Sequence, residues 1–406
     1  MVDVAFFDLP SYTRIDTTLG LVEELALRGE KVDYYYFEEF QEKIELAGAK
    51  FQPLPTMKSA SPDPTLQSRL IEYCLDAVPI LLAKLERDRP KLMVFHAKCL
   101  WAAIPADLLN IPSVCFHTNF LLPPRFLPPL SLLLAAYPLN EITKHLQRFH
   151  RHNQLWQQLT EKYAMKRINK ADVFQLQPNS MNLRGDLNIV YSSELFQLQR
   201  SKFDDSYIFT GPCYGDRTID PSFPLQEIDK KSIIFISLGS VTIYNFKTSF
   251  YERCLQAFED SEYSVVMSVG KSVDITTLGK IPSNFIISNY VPQIQILQYA
   301  KVFITHGGTN SVWEGLINKV PMVVFPQGGD QYLVAYRLEQ LGAGVWVKQK
   351  NIEPKKLRSL TENVMQNAQI RNNVELLGNS LIAAGGTKKA VDKILDFKYR
   401  SSSLYV

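Results

Sequence analysis

Three things are scarce in this 406-residue sequence, and each scarcity excludes something. The five cysteines, Cys74, Cys99, Cys115, Cys213 and Cys254, lie far apart and form no C-x-x-C. That argues against a disulfide framework or a cysteine-bound metal and points to free thiols in a reducing compartment. Charge of one sign is also missing: a net charge of +3 with no dense basic run makes nucleic acid a poor partner. Long apolar runs are the third absence. The chain enters the strand-like VAFFDLP with no basic leader or cleavage pattern, so the expectation is a cytoplasmic protein. Its greasiest stretch, 121–139 (LLPPRFLPPLSLLLAAYPL), is broken by prolines too early to span a bilayer. That stretch reads as a loop over an acceptor pocket, a weak membrane-surface contact or a buried connection.

What is present is an alternation of short apolar strands and amphipathic helices. The chain is long enough for two domains, and 46% hydrophobic with 21% charged residues is a globular composition. Residues 2–9 read as a strand. Asp16 or Thr17 is placed to cap a helix with Leu19, Val22, Leu25 and Ala26 on one face, which Gly29 closes before the strand Val32–Tyr36. Helices over 68–87 and 100–110 alternate with strands at 92–96 and 113–116, a pattern that predicts a doubly wound parallel sheet. A polar helix over 141–165 carries His145, His150 and His152; with no cysteine or carboxylate spacing around them it reads as a solvated face, not a metal site. Residues 215–230 have linker composition, dividing a domain at 1–214 from one at 231–385. The tail, 386–406, has Thr387 as a cap candidate and an apolar stripe of Ala390, Val391, Ile394, Leu395 and Phe397.

The densest signal is 288–331. An apolar strand (Val302, Phe303, Ile304) runs into a His-Gly-Gly turn, a helix opening at Asn310 or Ser311, and a second apolar strand from Met322 to Phe325. A glycine turn at the carboxyl end of a buried strand, followed by a helix start rich in donors, suits a phosphate. His306 adds a donor that can carry positive charge, and Asp330 with Gln331 supplies groups spaced for sugar hydroxyls. The ligand so implied is a nucleotide sugar.

This stretch resembles the donor-binding signature of the UDP-glycosyltransferase superfamily, in its bacterial natural-product branch. Tyr290, Val291, Pro292 and Gln293 match its aromatic-x-Pro-Gln; His306, Gly308, Asn310 and Ser311 match His-x-Gly-x-Asn-Ser; Glu314, Asp330 and Gln331 complete it. The resemblance implies the B-type fold: α/β, with two Rossmann-like doubly wound domains facing a cleft and a C-terminal helix returning to the N-terminal domain. It implies that Tyr290, where relatives carry Trp, stacks on uracil or thymine and that Val291 offers its backbone to the base edge. Gln293 and Glu314 would hold the ribose; Ser240, His306, Gly308, Thr309, Asn310 and Ser311 the diphosphate; Asp330 and Gln331 the sugar.

It further implies a metal-independent, inverting transfer of a hexose, glucose by weak preference, from a UDP- or dTDP-sugar, with no other cofactor. On the acceptor side the sequence departs from its relatives. Arg14 stands where they place a basic His, Asp16 where they place Asn, and His96 where they place the Asp that orients that His. Three readings follow. His96 is the base, oriented by Asp16 or another carboxylate; or the acceptor is itself anionic, a carboxylate for example, and Arg14 binds it; or the chain is a nucleotide-sugar-binding auxiliary protein without turnover.

Overall fold

The computed structural model describes residues 2–9, 15–56, 66–123, 126, 128–130, 132, 135, 142–173, 181–214, 223, 232–239, 248–349 and 351–402. Arg14, Ser240, nearly all of 215–230 and much of 121–139 lie outside them, as do the side chains of Asp16 and His145. The chain divides into two compact units, Met1–Phe126 with Tyr137–Arg217 and Ala384–Val406, and Leu127–Ala136 with Thr218–Ala383.

The first unit runs β1 (Val4–Phe7), α1 (Ile15–Leu27), β2 (Val32–Tyr36), α2 (Gln41–Leu46), β3 (Lys50–Pro53), α3 (Leu66–Asp88), β4 (Leu92–His96), α4 (Leu100–Leu108), β5 (Ser113–His117), α5 (Ile142–Lys162), α6 (Lys170–Val173), β6 (Leu187–Val190) and β7 (Tyr207–Phe209). Its sheet has the order β3-β2-β1-β4-β5-β6-β7, parallel throughout. Because helices cover both faces, β1, β2, β4 and β5 are buried at every position, and the sequence shows them as largely apolar runs, interrupted by Asp33 in β2 and by Ser113 at the start of β5. The edge strand β3, KFQP, has an exposed lysine and a proline and no such run, so sequence periodicity misses it.

The start of the first helix differs from the sequence reading. Helix α1 begins at Ile15, ahead of both Asp16 and Thr17, so neither is its cap. Instead Thr18 Oγ1 lies 2.9 Å from Asp8 Oδ2 and 3.1 Å from the Ile15 carbonyl, tying the helix start to the end of β1.

The second unit runs β8 (Ile233–Ser237), α7 (Thr248–Phe258), β9 (Ser264–Ser268), β10 (Phe285–Ser288), α8 (Gln293–Leu297), β11 (Ala300–Thr305), α9 (Thr309–Ile317), β12 (Met322–Val324), α10 (Gln331–Gln340), β13 (Gly344–Trp346), α11 (Pro354–Gln366) and α12 (Ala368–Ala383). Its sheet is also parallel, ordered β10-β9-β8-β11-β12-β13. In each sheet the chain winds outward one way, returns to the centre and winds outward the other way. The reversal falls between β1 and β4 in the first sheet and between β8 and β11 in the second. Loops leaving the carboxyl ends of the two strands at a reversal diverge and open a crevice, the usual ligand site of such sheets.

The last helix, α13 (Gly386–Ser402), belongs to the first unit. Ala390, Val391 and Ile394 are buried in the same core cluster as Val22 and Leu25 of α1. Thr387 lies inside this helix, whose first residue is Gly386, and its hydroxyl donates to the Tyr214 carbonyl at 3.5 Å instead of capping. The Lys398 ammonium pairs with Glu30 out of solvent. Among the described residues no helix is long and apolar enough to cross a membrane.

Candidate functional site

Strands β8 and β11 lie side by side with Ser237 opposite Thr305, so the residues that follow them emerge together at the reversal of the second sheet. After β8 comes Gly239; after β11 come His306, Gly307 and Gly308, and α9 starts at Thr309, slightly earlier than the sequence suggests. Gly307 has φ +81°, and a β-carbon there would also fall 2.6 Å from Val324 Cγ1, so this turn requires glycine. Gly308 is the N-cap of α9 in extended conformation and brings no capping side chain. Helix starts of this kind present first-turn amides to an anion.

The imidazole of His306 fills the space the glycines leave. A β-carbon on Gly239 would lie 2.6 Å from its Cε1, and one on Gly308 would lie 2.4 Å from its Nε2. Its Nδ1 lies 3.4 Å from Thr305 Oγ1. Burial pushes its pKa down to about 4, against opposing pulls from the Asp330 carboxylate and from a hydrogen bond with the Ser237 backbone. At neutral pH, His306 in this state is uncharged.

Around it the signature residues of the second unit form two clusters. In one, the Gln293 side-chain amide donates to Glu314 Oε2 at 2.6 Å and to Ser311 Oγ at 3.3 Å, joining the start of α8 to the buried face of α9. Val291 is buried just before it, whereas Tyr290 is 68% exposed, a flat ring open to a ligand. In the other, Thr309 Oγ1 donates to Asp330 Oδ2 at 3.4 Å. Gln331 Oε1 accepts from the amides of Gln327 at 2.7 Å and Gly328 at 3.2 Å, bracing the loop after β12. Among the described residues no three His, Cys, Asp or Glu side chains gather as metal ligands. His150 is exposed and pairs with Gln154 Nε2.

In the first unit, His96 ends β4 and is 2% exposed. The Lys98 amide donates to its Nδ1 at 3.1 Å, so the proton sits on Nε2, which lies 3.2 Å from Thr118 Oγ1. Asp8, at the end of β1 and so at the same reversal, was passed over in the sequence as part of an apolar run. It is buried, accepting from the Leu9 amide at 2.6 Å and from Thr18. Its signal was an acid closing an otherwise apolar strand. His117, ending β5, was likewise unread; it is buried, its Nε2 lies 3.4 Å from Asn188 Oδ1, and desolvation brings its pKa down to about 4.

The family model for UDP-glucoronosyl and UDP-glucosyl transferase matches residues 65–382. The chain belongs to that family. It is a glycosyltransferase. It is 31% identical to the uncharacterized UDP-glucosyltransferase YojK of Bacillus subtilis, over 98% of this chain and 97% of that one. It is 29% identical to the NDP-glycosyltransferase YjiC of the same organism, over 98% of each. Among solved structures, the glycotransferase of kitacinnamycin superposes with a TM-score of 0.80 at 24% identity, covering 98% of both chains. The calicheamicin glycosyltransferase CalG4 gives 0.76 at 22% identity, over 98% of this transferase and 99% of that one. These superpositions agree with the two parallel-sheet, Rossmann-like units described above.

Proposed function

We propose that this glycosyltransferase moves a hexose, glucose by preference, from a nucleoside diphosphate to a small, largely apolar acceptor, with inversion at the anomeric carbon. The observation that carries the donor half is the setting of His306, a neutral imidazole wedged against Gly239 and Gly308 at a winding reversal, ahead of a helix start that no side chain caps. In this reading Tyr290 stacks on the base and the Val291 backbone addresses its edge. The bonded pair Gln293 and Glu314 receives the ribose hydroxyls. His306, Gly308, Asn310, Ser311, Ser240 and the Thr309 backbone amide hold the diphosphate, and Asp330 and Gln331 hold the sugar. The tyrosine ring accommodates uracil or thymine, so the co-substrate is a UDP- or dTDP-sugar. The charge of the leaving diphosphate falls on helix amides and the imidazole N–H.

The geometry of His96 favours one of the acceptor readings. A general base needs a lone pair aimed at the acceptor hydroxyl. Here the Nδ1 lone pair is occupied by the Lys98 amide, and freeing Nε2 would set an Nδ1 proton against that same amide. The reading this supports is an acceptor whose nucleophilic oxygen is already anionic, a carboxylate on an apolar body, with Arg14 as its counter-charge.

Calorimetric titration with UDP and dTDP, followed by mass spectrometry of products from UDP-glucose with matched apolar alcohols and carboxylic acids, tests both halves. The expected result is that His306→Ala and Asn310→Ala weaken nucleotide binding by about tenfold or more, roughly 1.4 kcal/mol, and that the carboxylic acids are the better acceptors. Nucleotide affinity unchanged in both variants would overturn the donor site; alcohols preferred, with a kcat/KM inflection that disappears in His96→Gln, would restore His96 as the base.

A further inference from the structure

An aspartate directly before a helix ordinarily caps it, accepting from an amide two or three residues on while its own backbone stays extended. Asp330 is in that position before α10 and does neither: its backbone is helical, with φ −70° and ψ −14°, and its side chain makes no cap bond. The bracing of that loop falls to Gln331, through the amides of Gln327 and Gly328. The Asp330 carboxylate is turned instead toward the start of another helix, where Thr309 Oγ1 donates to its Oδ2 at 3.4 Å. Thr309 is buried, and a β-branched side chain in a helix has few rotamers, so its hydroxyl is a stiff support. The bond is longer than a charge-assisted O–H···O pair prefers, so it aims the carboxylate without clamping it.

We propose that Thr309 is a positioning residue for Asp330: its hydroxyl sets the orientation in which the carboxylate meets the hydroxyls of the donor sugar, so the side chain at 309 governs discrimination between sugars and not affinity for the diphosphate. This rests on the donor-site reading above and departs from the family resemblance, which gave the whole of Thr309 to the phosphates. Only its backbone amide keeps that role, and any side chain at 309 retains the amide.

The experiment compares Thr309→Val, which keeps the shape and removes the hydroxyl, with Thr309→Ser, which keeps the hydroxyl. Affinities for UDP and UDP-glucose are measured by calorimetry, and kcat/KM is measured for UDP-glucose and its 4-epimer UDP-galactose. In Thr309→Val, UDP affinity stays within about twofold of wild type, while the preference for UDP-glucose over UDP and the ratio between the epimers each fall about fivefold, the equivalent of one ordinary hydrogen bond. Thr309→Ser recovers most of both. Loss of UDP affinity as large as the loss of UDP-glucose affinity would make the hydroxyl a phosphate ligand and overturn the proposal, as would an unchanged epimer ratio. Absence of UDP binding by the wild type would overturn the donor site together with it.

Discussion

A β-carbon on Gly308 would fall 2.4 Å from Nε2 of His306, so the imidazole stands where it does because residue 308 has no side chain. The backbone of Gly308, at φ −62° and ψ 138°, is open to any amino acid, which makes Gly308→Ala a purely steric probe of the ring's position. The ring has little room to retreat, since a β-carbon on Gly239 would also fall within 2.7 Å of its Cε1 and Nε2. The substitution is expected to cost about 1–3 kcal/mol of stability by overpacking and to lower UDP affinity by about tenfold, read by thermal melting and calorimetry. Undiminished affinity would mean that the ring's place does not matter to the nucleotide.

Acid is expected to destabilise the protein through two histidines. His306 and His117 are held near 4 by burial, below the ordinary 6.5. Between those values the unfolded chain binds protons that the folded chain does not, so stability rises with pH across the window. The contribution is fully present above about 6.5 and lost as pH falls through about 4, at roughly 3 kcal/mol for each histidine. Urea midpoints between pH 4.5 and 7.5 check this. The slope flattens in His117→Gln and in His306→Gln if these residues cause it, and a wild-type midpoint independent of pH would refute it.

Gln293 is the smallest change that tests the cluster behind Tyr290. Its amide reaches both Glu314 and Ser311, so Gln293→Ala removes one partner from a buried carboxylate and one from a hydroxyl. A loss of about 1–3 kcal/mol in stability follows from the charged partner alone. UDP affinity should fall further than in Tyr290→Phe, which keeps the stacking ring. Equal affinities in the two variants would show that the amide serves packing only.

The C-terminal helix α13 is anchored by an ion pair with both side chains nearly out of solvent, Lys398 with Glu30. Removing one member strands the other, so Lys398→Ala is expected to cost about 3–5 kcal/mol, whereas the double substitution Glu30→Gln with Lys398→Met recovers much of that loss. Chemical denaturation of the two variants beside the wild type decides the matter. A double variant as unstable as the single would show that the pair acts through packing and not charge.

The strands at 92–96 and 302–304, the glycine turn and the helix behind it were legible because each is written locally: β-branched and aromatic runs make buried strands, and glycine with small polar residues makes a turn into a helix. The edge strand KFQP was illegible because an edge need not be apolar on both faces. The cap assignments at Asp16, Thr17 and Thr387 failed for a related reason. A capping residue type is recognisable in sequence, but where the helix actually begins depends on what packs nearby, and all three residues lie inside helices that start ahead of them.

The chain's own order of residues determined that it would build strand, turn and helix between 300 and 317 and repeat the pattern on either side, since φ and ψ preferences and side-chain period act over a few neighbours. What charge His306 carries, and that Gly239 should press against it, only the assembled sheet decided. Strand order brings β8 beside β11, and desolvation is set by everything strand order gathers around a group, much of it far away along the chain.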